Sequence, residues 1–148
     1  MVPQSNLLRA GIIPCLRYPD APAAIEWLCA AFGFEKHLVV AGEEEGKVVH
    51  AELVLGSAMI MLGSADSHQE GEYSDRVRPA SELGGRTNQS IYVVVEDADA
   101  HCARAIEAGA EILMAIEDQD YGGRGFSCLD LDGNVWNFGS YDPWSSSS

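Results

Sequence analysis

The side chains able to do chemistry are few in this 148-residue chain, and their spacing is informative. Four histidines, His37, His50, His68 and His101, are the only groups that titrate near neutral pH without help, and His68, in a polar stretch, and His101, on a predicted helix, are expected to be solvated. His50 and Glu52 are two residues apart in an apolar run, so a strand would put both on one face, as an acid–base couple or two of the ligands of a metal. Two ligands alone do not make a metal site, and a hydrogen-bonded His–Glu pair accounts for the spacing equally well. Arg17 and Arg124 carry the planar fork that grips a carboxylate or phosphate, or a structural acid. Tyr121 and Trp144 are aromatic surfaces for a flat ligand, or a cover for a core or subunit edge. No Ser–His–Asp or Cys–His arrangement is visible. Gly122, Gly123 and Gly125 do not open a helix after a strand, so they are no nucleotide fingerprint.

These side chains need elements to hold them. Ile12 to Tyr18 is a β-rich run. Asp20 is a good helix N-cap, Ile25, Leu28, Cys29 and Phe32 make one helical stripe, and Gly33 stops it. Strands are predicted at Lys36 to Ala41, Lys47 to Val54 and Ala58 to Leu62, with Glu43-Glu44-Glu45 in a solvated turn. A second series follows. Ser90 to Val95 reads as a strand. A helix capped by Asp97 or Asp99 runs through Ala108, with Cys102, Ala105, Ile106 and Gly109 on one stripe. Glu111 to Ile116 is a further strand, and Arg124 to Leu129 with Asn134 to Phe138 form a hairpin around Asp132-Gly133.

The two series are related. Gly33-Phe34-Glu35 and Gly109-Ala110-Glu111 are 76 residues apart, and Leu53, Leu55, Gly63 and Ser64 match Leu129, Leu131, Gly139 and Ser140 at that same offset. The reading is an α+β chain of two tandem βαβββ units, residues 10–64 and 89–141, joined by a polar linker or flap at 65–88 and followed by a tail at 142–148.

The composition narrows the function. Acidic residues outnumber basic ones 23 to 9, for a net charge of −14 and a pI of about 4.4. Such a surface repels phosphate backbones, so nucleic acid is an unexpected partner, and it favours cationic ligands. No apolar run has the length of a membrane span, and Met1 to Arg9 lacks the pattern of a secretory signal. Cys15, Cys29, Cys102 and Cys128 form no CxxC pair and sit in apolar segments, which predicts buried free thiols in a reducing cytoplasm.

The repeated βαβββ unit, with Tyr121-Gly122-Gly123-Arg124-Gly125-Phe126, Asp130 through Phe138 and Gln89 through Ala100, resembles the vicinal-oxygen-chelate superfamily of glyoxalases, extradiol dioxygenases and bleomycin-resistance proteins, its bleomycin-resistance branch above all. The resemblance spans Gly11 to Tyr141 and implies two curved half-barrels around a shared cavity, completed in a homodimer. It places metal ligands, in members that have them, at positions matching Ile13 or Pro14, Met61, Ser90 and Asn137. None of these is a good ligand for a divalent transition metal, and Gln89 falls on the strand face opposite Ser90. No metal and no cofactor is therefore expected.

With Ser90 and Asn137 facing the implied cavity, strand alternation adds Tyr92 and Val94, then Val135 and Gly139, and turns Trp136 and Phe138 toward the helices. In the first unit Cys15 and Arg17 join Ile13, and Met59 and Met61 face together, with His50 and Glu52 beside them. The expected ligand-binding set is Arg17, His50, Glu52, Met59, Met61, Tyr92, Tyr121, Arg124 and Trp144. The expected function is metal-independent binding of a small, aromatic or cationic organic molecule. The alternatives are a lyase or dioxygenase with a displaced metal site that uses His50 and Glu52, and a subunit that serves association with another protein.

Overall fold

In the computed structural model, residues 11–66 and 71–145 are described. His68 and the last three serines lie outside them. The first unit contains β1 (Cys15–Tyr18), α1 (Ala21–Phe32), β2 (Glu35–Ala41), β3 (Val48–Leu55) and β4 (Ala58–Ser64). The second contains β5 (Ile91–Val94), α3 (Ala98–Glu107), β6 (Glu111–Asp118), β7 (Arg124–Leu129) and β8 (Val135–Gly139). Both sheets have one topology, β1-β4-β3-β2 and β5-β8-β7-β6, with the first pair of each parallel and the others antiparallel. This is the α+β architecture read from the sequence, with open sheets rather than closed barrels.

Local chemistry sets the helix ends. The Asp20 carboxylate accepts from the Ala23 N–H at 3.1 Å, and Asp97, not Asp99, does the same for Ala100 at 3.0 Å. Gly33 ends α1 in the left-handed region, with φ of 85°. The second helix stripe is narrower than expected: Cys102 and Ala105 are buried, while Ile106 is exposed and Gly109 lies past the helix end at φ of 98°.

The repeated Gly–Ser pair has a physical reason. Ser64 Oγ accepts from the Val48 N–H at 3.0 Å, and Ser140 Oγ accepts from the Arg124 N–H at 2.9 Å, so each serine fastens the start of its neighbouring strand. The glycine before each serine sits where the chain is crowded. A Cβ on Gly63 would lie 2.8 Å from the Val49 carbonyl oxygen, and one on Gly139 would lie 2.6 Å from Tyr92 Oη.

One core joins the two units. Phe32, at the end of α1, packs at 4.7 Å from Phe138 and 5.0 Å from Trp136 on the second sheet. Trp27 Nε1 donates to the Ala108 carbonyl at 3.0 Å, and Arg104 donates to the carbonyls of Ala30 and Cys29. Asp130 ties the units most tightly. One carboxylate oxygen accepts from Tyr18 Oη at 2.6 Å and from Trp136 Nε1 at 3.0 Å. The other takes the N–H groups of Asp132, Gly133 and Asn134 across the tight turn.

Three expectations change. The 65–88 stretch is not a plain linker: it contains the short helix α2 (Glu72–Arg76) and a 3-10 turn at Ala80–Glu82. His101 is not a solvated surface group. It stacks on Phe138 at 5.6 Å, its Nδ1 is buried without a partner, and burial holds its pKa below the ordinary value. Only Cys102 and Cys128 are buried thiols, for Cys15 is exposed at the sheet edge and Cys29 half-buried.

Candidate functional site

Register fixes what the open face of the first sheet presents. Cys15, Met61, Glu52 and Leu38 are successive partners across β1, β4, β3 and β2, so they share the face turned away from the helices. Leu16, Leu62 and Ala51 share the other face and pack in the core. Above the open face lies a hollow of about 610 Å³, lined by Arg17, His50, Met61, Gly63, Tyr73 and Ser74 among others. Of the expected residues, Arg17, His50 and Met61 come together here. Glu52 adjoins them through His50, whose Nε2 lies 2.9 Å from its carboxylate.

Tyr73 was not among the expected residues. It sits on α2, the helix hidden in the polar linker, and its ring covers the Arg17 guanidinium at 5.4 Å. Arg17 Nη1 makes one long bond, 3.4 Å, to the Ser64 carbonyl. Among the described residues no carboxylate pairs with Arg17, whereas Arg76, Arg78 and Arg124 each hold one.

Met59 and Tyr92 line a second, larger and mainly apolar hollow of about 1110 Å³ between the two sheets, together with Ile13, His37, Val54 and Val94. Met59 and Tyr92 thus lie in a different hollow from Arg17, His50 and Met61. On the second sheet Tyr92, Asn137, Ser127 and Met114 are register partners on the open face, as alternation requires of the first two. That face is partly roofed: Tyr92 lies over Gly139 and donates its hydroxyl to the Tyr141 carbonyl at 2.7 Å. Burial, and then the neighbouring Tyr121, Tyr141 and Asp142, push the Tyr92 phenol above its usual pKa.

The remaining expected residues lie apart from both hollows. Arg124 makes a close pair with Asp99, Nε to Oδ2 at 3.0 Å, and a longer one with Asp118 at 3.4 Å, which is the structural ion pair the sequence left open. Tyr121 meets Tyr141 edge to face at 5.2 Å. Trp144 is 93% exposed.

The positions that the resemblance assigns to metal do not fit one. Asn137 Oδ1 accepts from Ser127 Oγ at 2.6 Å, and its amide nitrogen donates to Ser90 Oγ and the Ile91 carbonyl, so both polar ends are engaged. Met61 offers only a thioether, Ile13 and Pro14 offer no side-chain donor, and the Pro14 carbonyl takes the Met61 N–H. The nearest donor set is elsewhere. A bulge between Lys36 and Leu38 brings His37 Nε2 to 3.8 Å from Glu52 Oε1, opposite His50. Among the described residues, no three His, Cys, Asp or Glu side chains form a group able to hold a metal ion.

Comparison with known proteins agrees with this geometry. The family model of the Glyoxalase/Bleomycin resistance protein/Dioxygenase superfamily matches residues 11–138. An uncharacterized protein of Mycobacterium bovis is 36% identical over 129 residues, covering 87% of this chain and 82% of the relative. Among solved structures, TioX from Micromonospora sp. ML1 superposes with a TM-score of 0.66 at 26% identity, covering 88% of this chain and 97% of that one. The fosfomycin resistance protein FosX of Listeria monocytogenes shares the fold, with a TM-score of 0.64 at 16% identity over 93% of this chain and 97% of its own.

Proposed function

The chain belongs to the Glyoxalase/Bleomycin resistance protein/Dioxygenase superfamily, and from that premise we propose that it is a metal-independent binder of a small organic molecule, held over the open face of the first sheet. The observation that carries this reading is the hollow of about 610 Å³ that combines apolar walls with one arginine and one aromatic roof. The donor chemistry at Ile13, Met61, Ser90 and Asn137 supports binding without metal. The buried thiols support a reducing, cytoplasmic setting: burial pushes the Cys128 pKa up to about 12, where the thiol is inert. Among the described residues no helix is long and apolar enough to cross a membrane.

A second copy is the proposed macromolecular partner. Leu38, Val40, Val94 and Met114 are large apolar side chains left exposed, and β2 and β6 are free sheet edges. Sedimentation at micromolar concentration should give about twice the 15.9 kDa chain mass, and a single-chain mass would remove the dimer.

The alternative of a displaced metal site would use His50 and Glu52, with His37 at 3.8 Å from the same carboxylate, although these three donors do not close into a group able to hold a metal ion. Metal-stripped protein decides between the readings. A metal that binds only the folded chain stabilises it by RT ln(1 + [L]/Kd), about 4 kcal/mol at a thousandfold excess. Zinc, nickel, manganese and ferrous iron should each move the melting temperature by no more than about a degree, well short of that gain. A shift of many degrees that vanishes in His50→Ala would establish the metal-dependent reading instead.

A further inference from the structure

We propose that the first-sheet pocket selects an anionic ligand, an apolar or aromatic body carrying one carboxylate, sulfonate or phosphonate group that sits on Arg17. This rests on the pocket being the binding site and goes further, to the charge of what it takes. It runs against the overall charge of −14, which by itself favours cations.

A guanidinium has five N–H donors in a rigid plane, and leaving them unpaired in a half-buried place is costly. In a chain with 23 acids for 9 bases carboxylate partners are plentiful, and Arg104, which has none among the described residues, spends its guanidinium on the Ala30 and Cys29 carbonyls at 2.8 and 3.1 Å. Arg76, Arg78 and Arg124 hold theirs, at 2.8, 2.8 and 3.0 Å. Arg17 instead faces a hollow, spends one nitrogen on a 3.4 Å contact and is kept flat by the Tyr73 ring.

The surroundings are arranged not to repel an anion. Glu52, the one acid among the register partners Cys15, Met61, Glu52 and Leu38, is engaged by His50 at 2.9 Å and approached by His37 at 3.8 Å. The rest of the wall includes Cys15, Val49 and Met61, which suits the ligand's apolar body. Gly63, the register partner of Arg17, has no side chain to fill the space beside the guanidinium. Tyr73 sits above as a positioning residue: it orients Arg17 and closes over a bound ring.

Two fluorescent probes with one fluorophore separate charge from apolar contact: 1-anilinonaphthalene-8-sulfonate and its neutral parent, N-phenyl-1-naphthylamine. Wild-type protein should bind the sulfonate at least about tenfold tighter than the parent, because a charge-assisted bidentate contact adds to the shared apolar one. The preference should shrink as salt rises. Arg17→Met should erase it while leaving parent binding within about twofold, and Arg17→Lys should keep only part of it, since a point charge replaces the fork. Met61→Trp, which fills the pocket, should abolish binding of both probes.

Equal wild-type affinity for the two probes, with both lost in Met61→Trp, overturns the anion proposal and leaves the pocket standing. Binding that survives Met61→Trp, or no binding of either probe, overturns the pocket and the proposal with it. The wild-type probe ratio and its salt dependence need no variant, so a poorly folding Arg17→Met would not shield the proposal.

Discussion

Replacing Asp130 with alanine should cost about 3–5 kcal/mol of folding stability, read as a lower urea midpoint, because it strands buried donors on both units at once. Tyr18 Oη and Trp136 Nε1 lose their shared acceptor inside the core, where each unmet donor costs about 1–3 kcal/mol. The Asp132-Gly133 turn also loses the oxygen that gathers three of its N–H groups. Tyr18→Phe should cost less, since Trp136 and the turn keep their acceptor.

The same contact has a pH signature. Burial first, and then the Asp130 charge, raise the Tyr18 phenol well above its ordinary value of 10.0. The folded chain keeps that proton where the unfolded chain releases it. The contribution is therefore complete below pH 10 and is lost as pH climbs from there toward the folded pKa. In Tyr18→Phe this part of the alkaline decline should be absent. An Asp130→Ala protein melting within a degree or two of wild type would mean that the Asp130 bonds add little to the apolar packing and the Trp27 and Arg104 hydrogen bonds that also join the units.

Much of this fold could be read because its signals are local. Asp20, Gly33 and Asp97 act within a few residues, and the 76-residue offset of Gly63-Ser64 and Gly139-Ser140 marks a hydrogen bond that each unit makes for itself. Strand alternation likewise set Tyr92 and Asn137 on one face and Trp136 and Phe138 on the other. What escaped depends on distance or on irregularity. Asp130 stands in a recognisable turn, but its role across the units needs Tyr18, 112 residues away. His37 reaches Glu52 only through a bulge, and bulges leave no periodic trace. Tyr73 rides on a five-residue helix, too short for a 3.6-residue pattern to emerge from a polar stretch. Nor does a repeat say how its copies sit together, so the sequence did not show that Met59 and Met61 line different hollows.

The two copies have also diverged at one matched point, which makes the second large effect. Gly139→Ala should destabilise the protein by about 1–3 kcal/mol, the range for forcing atoms into a packed place, because the new methyl would stand 2.6 Å from Tyr92 Oη and 3.2 Å from its ring. The obstacle is a side chain, so it can be removed. Tyr92→Ala alone gives up the bond to the Tyr141 carbonyl and the roof over the second sheet. In that background Gly139→Ala should cost little beyond the ordinary effect of the methyl, and the double-mutant cycle should show a coupling of about 1 kcal/mol or more. Gly63→Ala offers the contrast. Its methyl would meet the Val49 carbonyl at 2.8 Å, a backbone atom that no side-chain truncation removes, so no such rescue should exist there. The difference bears on function: Tyr92 shields the second sheet's face over Gly139, while over Gly63 the first sheet stays open beside Arg17. Coupling near zero between Gly139→Ala and Tyr92→Ala in urea unfolding would show that Tyr92 yields freely. The roof would then be loose, and the asymmetry between the two faces would lose its structural cause.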